Sequence, residues 1–455
     1  MKMAQKVTPK ILSGFMELLP AEQLIFDEMK SIIENTYRSF GFVPLDTPVL
    51  EASDVLLAKA GGETEKQIYR FSKGDNDICM RFDLTVPLAR YVAQHQNDLT
   101  FPFKRYQISK VYRGERPQKG RFREFYQADI DIIGSEKLSV LYDAEVPAVM
   151  YTVFKKLGLK RFKLKLNNRK LMTGFYQFLN LSDLSAEIVR IIDKFDKIGA
   201  ETVKACLKDL TISEESIEKI MHFISITGSV EEVLESLKSL GVENELFDQG
   251  LSELKSVTES MKALGVSESN FEIDLKIARG LDYYTGTVYE TILEDYPTWG
   301  SICSGGRYDN LAGYYTDRKL PGVGMSIGLT RFFDLLRDNQ LINPTKSTAA
   351  DVLILPMEEK ASLFSLEIAK TLRENNLNAQ IFASEGKFKN KMAYANKINV
   401  PFVLIIGEEE VETQMVTLKN MTTGQQEKIA SEKLSASLRL ALSQLQEQKG
   451  TIING

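Results

Sequence analysis

Histidine is nearly missing from this 455-residue chain, which holds only His95 and His222. A triad built on a histidine base, or a metal centre built on several imidazoles, is therefore close to excluded. Cysteine is scarce as well. Cys79, Cys206 and Cys303 are odd in number and far apart, without the paired spacing of zinc sites or disulfide frameworks, and they read as reduced thiols. No apolar run is long enough to cross a bilayer; the clearest one is "PFVLIIG" at 401–407. The first residues, "MKMAQKVTPKILSGF", lack the continuous apolar core of a signal peptide, so the expected location is cytoplasmic with no membrane partner. Broad positive charge is also lacking. A net charge of −5 argues against coating nucleic acid indiscriminately and leaves room only for local basic sites. Chemistry must then rest on carboxylates, arginines, tyrosines and a bound ion.

What is present is ample apolar content. At 43% hydrophobic residues the chain can fill the cores of two or three domains. The most unusual stretch is Phe103 to Gly134, "FKRYQISKVYRGERPQKGRFREFYQADIDIIG". Between Lys104 and Arg123 it carries eight Lys or Arg against a single acid, Glu115, an imbalance that suits a surface meeting phosphate. Apolar alternation on both sides predicts two strands joined by a loop rich in Pro, Gly and Arg. With period two, Phe125, Gln127, Asp129 and Asp131 share one face, and Arg113 and Glu115 are like-facing on the other strand. Alone, this window is equally a surface hairpin with salt bridges.

Elsewhere the periodicity is clear. Residues 21–40 space Leu24, Ile25, Met29, Ile32, Ile33 and Tyr37 as an amphipathic helix closed by Gly41. Pro44 and Pro48 then demand an extended path at a sheet edge or interface. A hairpin turning through Gly74–Asp77 precedes a helix that begins near Thr85 with Pro87 in its first turn. From about Asn180 to Leu264 the pattern is wholly helical, and strand alternation resumes at 271–293, which reads as a helical block inserted into a parent sheet. Past the linker-like "NQLINPTKSTAAD", strands and helices alternate as β, α, β, α, β up to "PFVLIIG". In this last part Lys387, Lys389, Lys391 and Lys397 form either a phosphate contact or a solvated helix face.

Two further polar clusters stand out. "ARGLDYYTGTVYE" holds Arg279, Asp282, Tyr283 and Tyr284, and "CSGGRYDNL" places Arg307, Tyr308 and Asp309 after two glycines that let backbone approach a ligand closely. Gly322, Gly324 and Gly328 lead into a helix near Arg331 whose start suits phosphate, though neither the phosphate-loop nor the dinucleotide fingerprint is matched.

Taken together, a helix followed by a proline-bearing strand, then "YRGE…FREF", then "GLTRFFDLL" resembles the three ordered motifs of class II aminoacyl-tRNA synthetases. Within that class, "RFDLTVPLARY", "RPQKGRFREFYQADIDIIG", "ARGLDYYTGTVYE" and "GGRYD" resemble the histidyl-tRNA synthetase family over essentially the whole chain. The resemblance implies ATP-dependent activation of L-histidine, transfer to tRNA(His), magnesium (Mg2+) accompanying the triphosphate with no dedicated protein ligands, and a homodimer formed through the Pro48 region. Arg113 and Arg279 are implied as the catalytic residues. Arg113 would hold the α-phosphate and the histidine carboxylate, Glu115 the adenosine side, Phe125 one face of adenine, and Arg331 the other face and the γ-phosphate. The histidine pocket is implied to comprise Asp83, Thr85, Arg113, Gln127, Asp131, Arg279, Tyr283, Tyr284 and Tyr308. Arg116, Lys119, Arg121 and Arg123 are implied to meet the tRNA acceptor end. Asp83 and Thr330 stand where many bacterial members carry Glu.

The expected architecture is an α+β catalytic domain on an antiparallel sheet of the class II type, with a helical insertion, then a small α/β anticodon-binding domain. The expected boundaries are 1–179 and 266–338 for the catalytic domain, 180–265 for the insertion, 339–348 for a linker, 349–446 for the anticodon-binding domain and 447–455 for a mobile tail. The rival is the regulatory subunit of ATP phosphoribosyltransferase, a non-catalytic relative on the same fold.

Overall fold

The computed structural model describes residues 7–58, 63–277, 284–449 and 451–453. Two units emerge, one built chiefly from Ser31–Asn339 and the other from Gln340–Asn454 together with Glu17–Lys30. No helix among the described residues is long and apolar enough to cross a membrane.

The chain opens with helix α1 (Pro20–Ser39) and the two-residue strand β1 (Val43–Pro44). Strand β2 (Leu50–Ala52), helices α2 (Ser53–Leu57) and α3 (Glu63–Gln67), and the hairpin β3 (Arg70–Lys73) and β4 (Asn76–Met80) follow. These three strands form a small antiparallel sheet in the order β2-β4-β3. Helix α4 (Thr85–Gln94) starts at the expected residue, and two ten-residue strands, β5 (Phe103–Tyr112) and β6 (Glu124–Ile133), pair antiparallel on either side of the basic loop.

Next come helix α5 (Leu141–Leu157), strand β7 (Phe162–Asn168) and helix α6 (Arg169–Phe178). Five helices fill the stretch read as helical: α7 (Ser185–Ile192), α8 (Phe195–Asp209), α9 (Glu214–Ser225), α10 (Val230–Ser239) and α11 (Glu245–Ala263). Strands β8 (Phe271–Ile273), β9 (Thr287–Leu293), β10 (Cys303–Tyr308) and β11 (Gly322–Gly328) complete an eight-stranded sheet, and helix α12 (Leu329–Asp338) closes the unit. The order is β1-β5-β6-β11-β10-β9-β7-β8, antiparallel except for the terminal pairs β1–β5 and β7–β8. Strand β1 lies at the edge, where Pro44 deprives the sheet of no needed donor. Strands β7 and β8, which flank the five helices in sequence, lie side by side in the sheet.

Helices α6 and α11 lie unusually close because each contributes a glycine. A Cβ on Gly174 would fall 2.4 Å from the Phe247 nitrogen, and one on Gly250 would fall 2.4 Å from the Leu171 nitrogen. The root of the helical block is thereby packed against the element that follows β7.

In the second unit, β12 (Val352–Pro356), α13 (Ala361–Glu374), β13 (Ala379–Ile381), α14 (Phe388–Ile398) and β14 (Phe402–Ile406) follow the expected alternation. Beyond it the chain adds α15 (Glu408–Thr413), the antiparallel pair β15 (Met415–Asn420) and β16 (Gln426–Ala430), and α16 (Leu434–Lys449). The five-stranded sheet, ordered β13-β12-β14-β15-β16, is therefore mixed. Val416 and Leu418 face its core between Met415, Thr417 and Lys419, and a six-residue strand with only two such core positions does not stand out by composition. Where a tail was expected from 447, α16 still runs to Lys449, and Ile453 is buried at 3% exposure.

Arg307, which the Gly-Gly motif had offered as a ligand reader, is instead structural. Its guanidinium lies against buried Asp143 of α5, with Nε 3.0 Å from both carboxylate oxygens, and it donates to the Ser139 carbonyl at 3.0 Å. Removing one partner of such a pair leaves the other charged and dry. Asp143→Ala should lower stability by roughly 3–5 kcal/mol, measured as a drop in the urea unfolding free energy; a loss within about 0.5 kcal/mol would contradict this role.

Candidate active site

One face of the large sheet forms the floor of a cleft of about 680 Å³. Cross-strand registers set out its side chains in rows. Arg105, Asp131, Gly324 and Gly306 make one row across β5, β6, β11 and β10, and Gln107, Asp129, Ser326 and Ser304 make the next. A Cβ at Gly324 would sit 2.2 Å from Asp131 Oδ1, and one at Gly306 would sit 2.8 Å from the Tyr284 ring. These glycines clear the space that the acid and the aromatic ring occupy.

Asp83, Thr85, Arg113, Gln127, Asp131, Tyr284 and Tyr308, seven of the nine residues expected for the pocket, line this cleft together. Arg279 and Tyr283 lie outside the described residues. Asp83 stands just before α4, where Oδ1 accepts the Val86 amide at 3.0 Å, and burial raises its carboxyl above the ordinary range. Arg113 donates from Nε to the Phe82 carbonyl at 3.0 Å and rests over the Phe125 ring at 5.0 Å. Gln127 donates to the Ser326 hydroxyl at 2.7 Å. Asp131 is held at both oxygens, by the Tyr308 hydroxyl at 2.6 Å and by the wholly buried Arg105 at 2.6 Å.

Phe125, Glu115 and Arg331 do not line that cleft. Phe125 backs Arg113, Glu115 pairs with Arg121 at 3.3 Å, and Arg331, in the first turn of α12, hydrogen-bonds the Trp299 carbonyl. The basic loop is folded onto the protein. Lys119 lies 4.8 Å over the Trp299 ring and 3.1 Å from Asp338, while Arg123 donates to the Glu115 carbonyl at 3.1 Å. Gly120, at φ +68°, brings the loop so near Trp299 that a Cβ would meet its ring at 3.1 Å. Arg116 is exposed. In the second unit, Lys387, Lys389 and Lys397 are exposed, but Lys391 is buried and donates to the Pro356 carbonyl at 2.5 Å, which corrects its reading as a surface contact.

Sequence reasoning left several cleft residues without a role. Asp129 shares the strand face of Gln127 and Asp131, a signal that was visible, and it is 2% exposed. Ser326, opposite it on β11, had no signal. Gln67, Arg169, and the α7 face carrying Ala186, Val189 and Arg190, continued by Asp193 and Lys194, also reach the cleft. Only tertiary packing brings this helix over the sheet. Burial dominates the acids here: it pushes Asp129 up to about 7 against the nearby Arg105 charge, and Asp131 up to about 6 against Arg105 and the Tyr308 bond.

Comparison with known proteins accounts for this arrangement. A family model described as histidyl-tRNA synthetase matches residues 14–332. A curated histidine–tRNA ligase of Clostridium tetani is 53% identical over 427 residues, spanning 94% of this chain and 97% of that protein. The chain belongs to the histidyl-tRNA synthetase family. The crystal structure of histidyl-tRNA synthetase from Nostoc sp. PCC 7120 superposes with a TM-score of 0.90 at 40% identity, covering 96% of this chain and all of that one. The class II α+β fold expected from the motifs is thereby borne out. A second model, described as an anticodon binding domain, matches residues 351–439 in the second unit. A Bacillus halodurans structure titled as an ATP phosphoribosyltransferase regulatory subunit/histidyl-tRNA synthetase shares the fold, with a TM-score of 0.72 at 21% identity over 86% of this chain and 97% of that one. With an anticodon-binding unit present and ligases among its curated relatives, the synthetase reading is favoured over the regulatory-subunit rival.

The raised acids carry a stability signature. Asp129 faces Arg105, Asp131, Asp83 and the Ser326 hydroxyl, and burial pushes its carboxyl up to about 7 from the ordinary 3.8. The folded state therefore binds more protons between these values, so this group's contribution declines as pH rises from about 4 to about 7. Asp129→Asn should raise the thermal unfolding midpoint at pH 8 by a few degrees, with a smaller gain at pH 5. An equal gain at both pH values, or a loss at pH 8, would count against this assignment.

Proposed function

We propose that the chain is a histidine–tRNA ligase, using ATP to convert L-histidine to histidyl-adenylate and then acylating the 3′ end of tRNA(His). The observation that carries this reading is the cleft's pairing of a cation with unspent acceptors. Arg113 lines the cleft together with Asp83, whose carboxyl its charge favours, and with Gln127; Asp83 Oδ2 and Gln127 Oε1 meet no hydrogen-bond donor among the described residues, a set of groups suited to an amino acid's carboxylate and ammonium.

In this reading the histidine carboxylate, already ionised, attacks the α-phosphorus of ATP and pyrophosphate departs. No general base is needed. Positioning and charge stabilisation carry the step, with Arg113 bridging carboxylate and α-phosphate and Arg279 assisting. Glu115, Phe125 and Arg331 serve ATP. Arg331 would exchange its bond to the Trp299 carbonyl for the nucleotide, and Phe125 already braces Arg113 from below. Asp83, Thr85, Gln127, Asp131, Tyr283, Tyr284 and Tyr308 form the amino-acid pocket. Magnesium would arrive with the triphosphate as part of the substrate. Arg116, Lys119, Arg121 and Arg123 would turn to the tRNA acceptor end, giving up Asp338, Trp299 and Glu115 as partners. Residues 180–265 act as an insertion in the catalytic domain, and 349–446 read the anticodon. A homodimer through the Pro48 region and a cytoplasmic location complete the proposal.

Histidine-dependent exchange of pyrophosphate into ATP should be present, as should charging of tRNA(His); a folded protein showing neither refutes the reading. Arg113→Ala should lower the exchange kcat by about 10²- to 10³-fold, with a smaller effect on the KM for ATP. Equal losses in both would remove Arg113 from the transition state.

A further inference from the structure

The chain has one tryptophan, Trp299, and two groups with separate proposed duties both hold on to it. Lys119, at the tip of the basic loop, stands 4.8 Å over its ring, and Arg331, in the first turn of α12, donates to its backbone carbonyl. Resting on the ATP reading above, we propose that Trp299 is a latch coupling these two groups, so that a nucleotide taken up by Arg331 releases the tip of the basic loop.

The tip is built to move as one piece. Gln118 and Arg121 exchange backbone hydrogen bonds at 3.3 and 2.8 Å, which closes Lys119 and Gly120 into a tight turn, with Gly120 in the left-handed region at φ +68°. This turn is wedged between two side chains. A Cβ on Gly120 would meet the Trp299 ring at 3.1 Å and Arg331 Cγ at 3.4 Å. Lys119 also reaches Asp338 at 3.1 Å, and Asp338 lies about two helical turns beyond Arg331 on the same face of α12. The base of the loop is fastened elsewhere. The Arg113 amide donates to the Arg123 carbonyl at 2.9 Å, and the Arg123 amide donates to the Gly14 carbonyl at 2.7 Å. Release at Trp299 therefore frees the tip and leaves the base in place.

The strengths of these contacts set the direction of the coupling. Lys119 is 67% exposed and Asp338 36%, so the ion pair and the contact with the indole are each worth only a few-fold in an equilibrium constant. Arg331 is bonded to a neutral carbonyl, and a phosphate oxygen is the stronger acceptor for a guanidinium. When Arg331 turns to phosphate, its stem leaves Gly120, and the single turn Pro297–Trp299 loses its tie to α12. Such coupling is reciprocal. Whatever opens the tip, a tRNA phosphate included, eases the uptake of nucleotide.

The test uses the full-length protein and MgATP, with the emission of Trp299 as reporter. MgATP should shift that emission and increase its quenching by acrylamide, as the indole loses Lys119 and gains water. Loosening the tip in advance should tighten nucleotide binding. Lys119→Ala should lower the KM for ATP in pyrophosphate exchange about 3- to 10-fold. Asp338→Asn should lower it by less, and the KM for histidine should stay within about twofold in both variants. An ATP KM that is unchanged or raised in Lys119→Ala, or a parental emission that MgATP leaves untouched, overturns the inference. An emission that responds to MgATP in a parent protein without histidine-dependent exchange instead overturns the functional reading and leaves the latch standing.

Discussion

Everything at the cleft leans on one wholly buried guanidinium, that of Arg105. It bonds Asp131 at 2.6 Å and the Leu84 carbonyl at 3.1 Å, so a single side chain ties β5 to β6 and both to the start of α4. A buried cation is tolerated only where anionic partners compensate it. Its presence in turn allows acids to stand together on a dry sheet face, where without it their mutual repulsion and desolvation would be harder to sustain. The group of acids on this sheet face is thus built around a buried positive charge.

That arrangement is costly to the fold and useful to the site. Asp129 and Asp131 are pushed towards neutrality by burial, and buried oxygens of Asp83, Gln127 and Asp129 meet no hydrogen-bond donor among the described residues. Unpaired buried acceptors destabilise a protein by themselves, and they favour the ligand that brings the missing donors. Glycines at 306 and 324 belong to the same economy of space: any side chain there would collide with the tyrosine ring or with the acid.

Much of this was legible beforehand for a physical reason. The period of two along "FYQADID" assigns Gln127, Asp129 and Asp131 to one face whatever surrounds the strand, and Thr85 with Pro87 marks a helix start from local chemistry alone. Asp129 was therefore visible as a position. That its neighbour Asp131 is held by Tyr308 and Arg105, residues 177 and 26 positions away, respectively, emerges only in the folded chain. The hairpin β15–β16 and the helix after it were missed for the opposite reason, since short strands with mostly polar neighbours carry little periodic signal.

By itself, the sequence determined most of the elements, the face that the strongly periodic strands present, and the family to which the motifs point, because these depend on local periodicity and on residues close together in the chain. Tertiary structure alone decided which of the charged residues are partners and which are left for a ligand. Arg307 was diverted to Asp143, Lys391 to a backbone carbonyl, the basic loop to Trp299 and Asp338, and α7 was brought over the cleft. Pairing of charges depends on distances across strands and helices that no local pattern encodes, and burial, which sets what an unpaired group costs, exists only once the chain has packed.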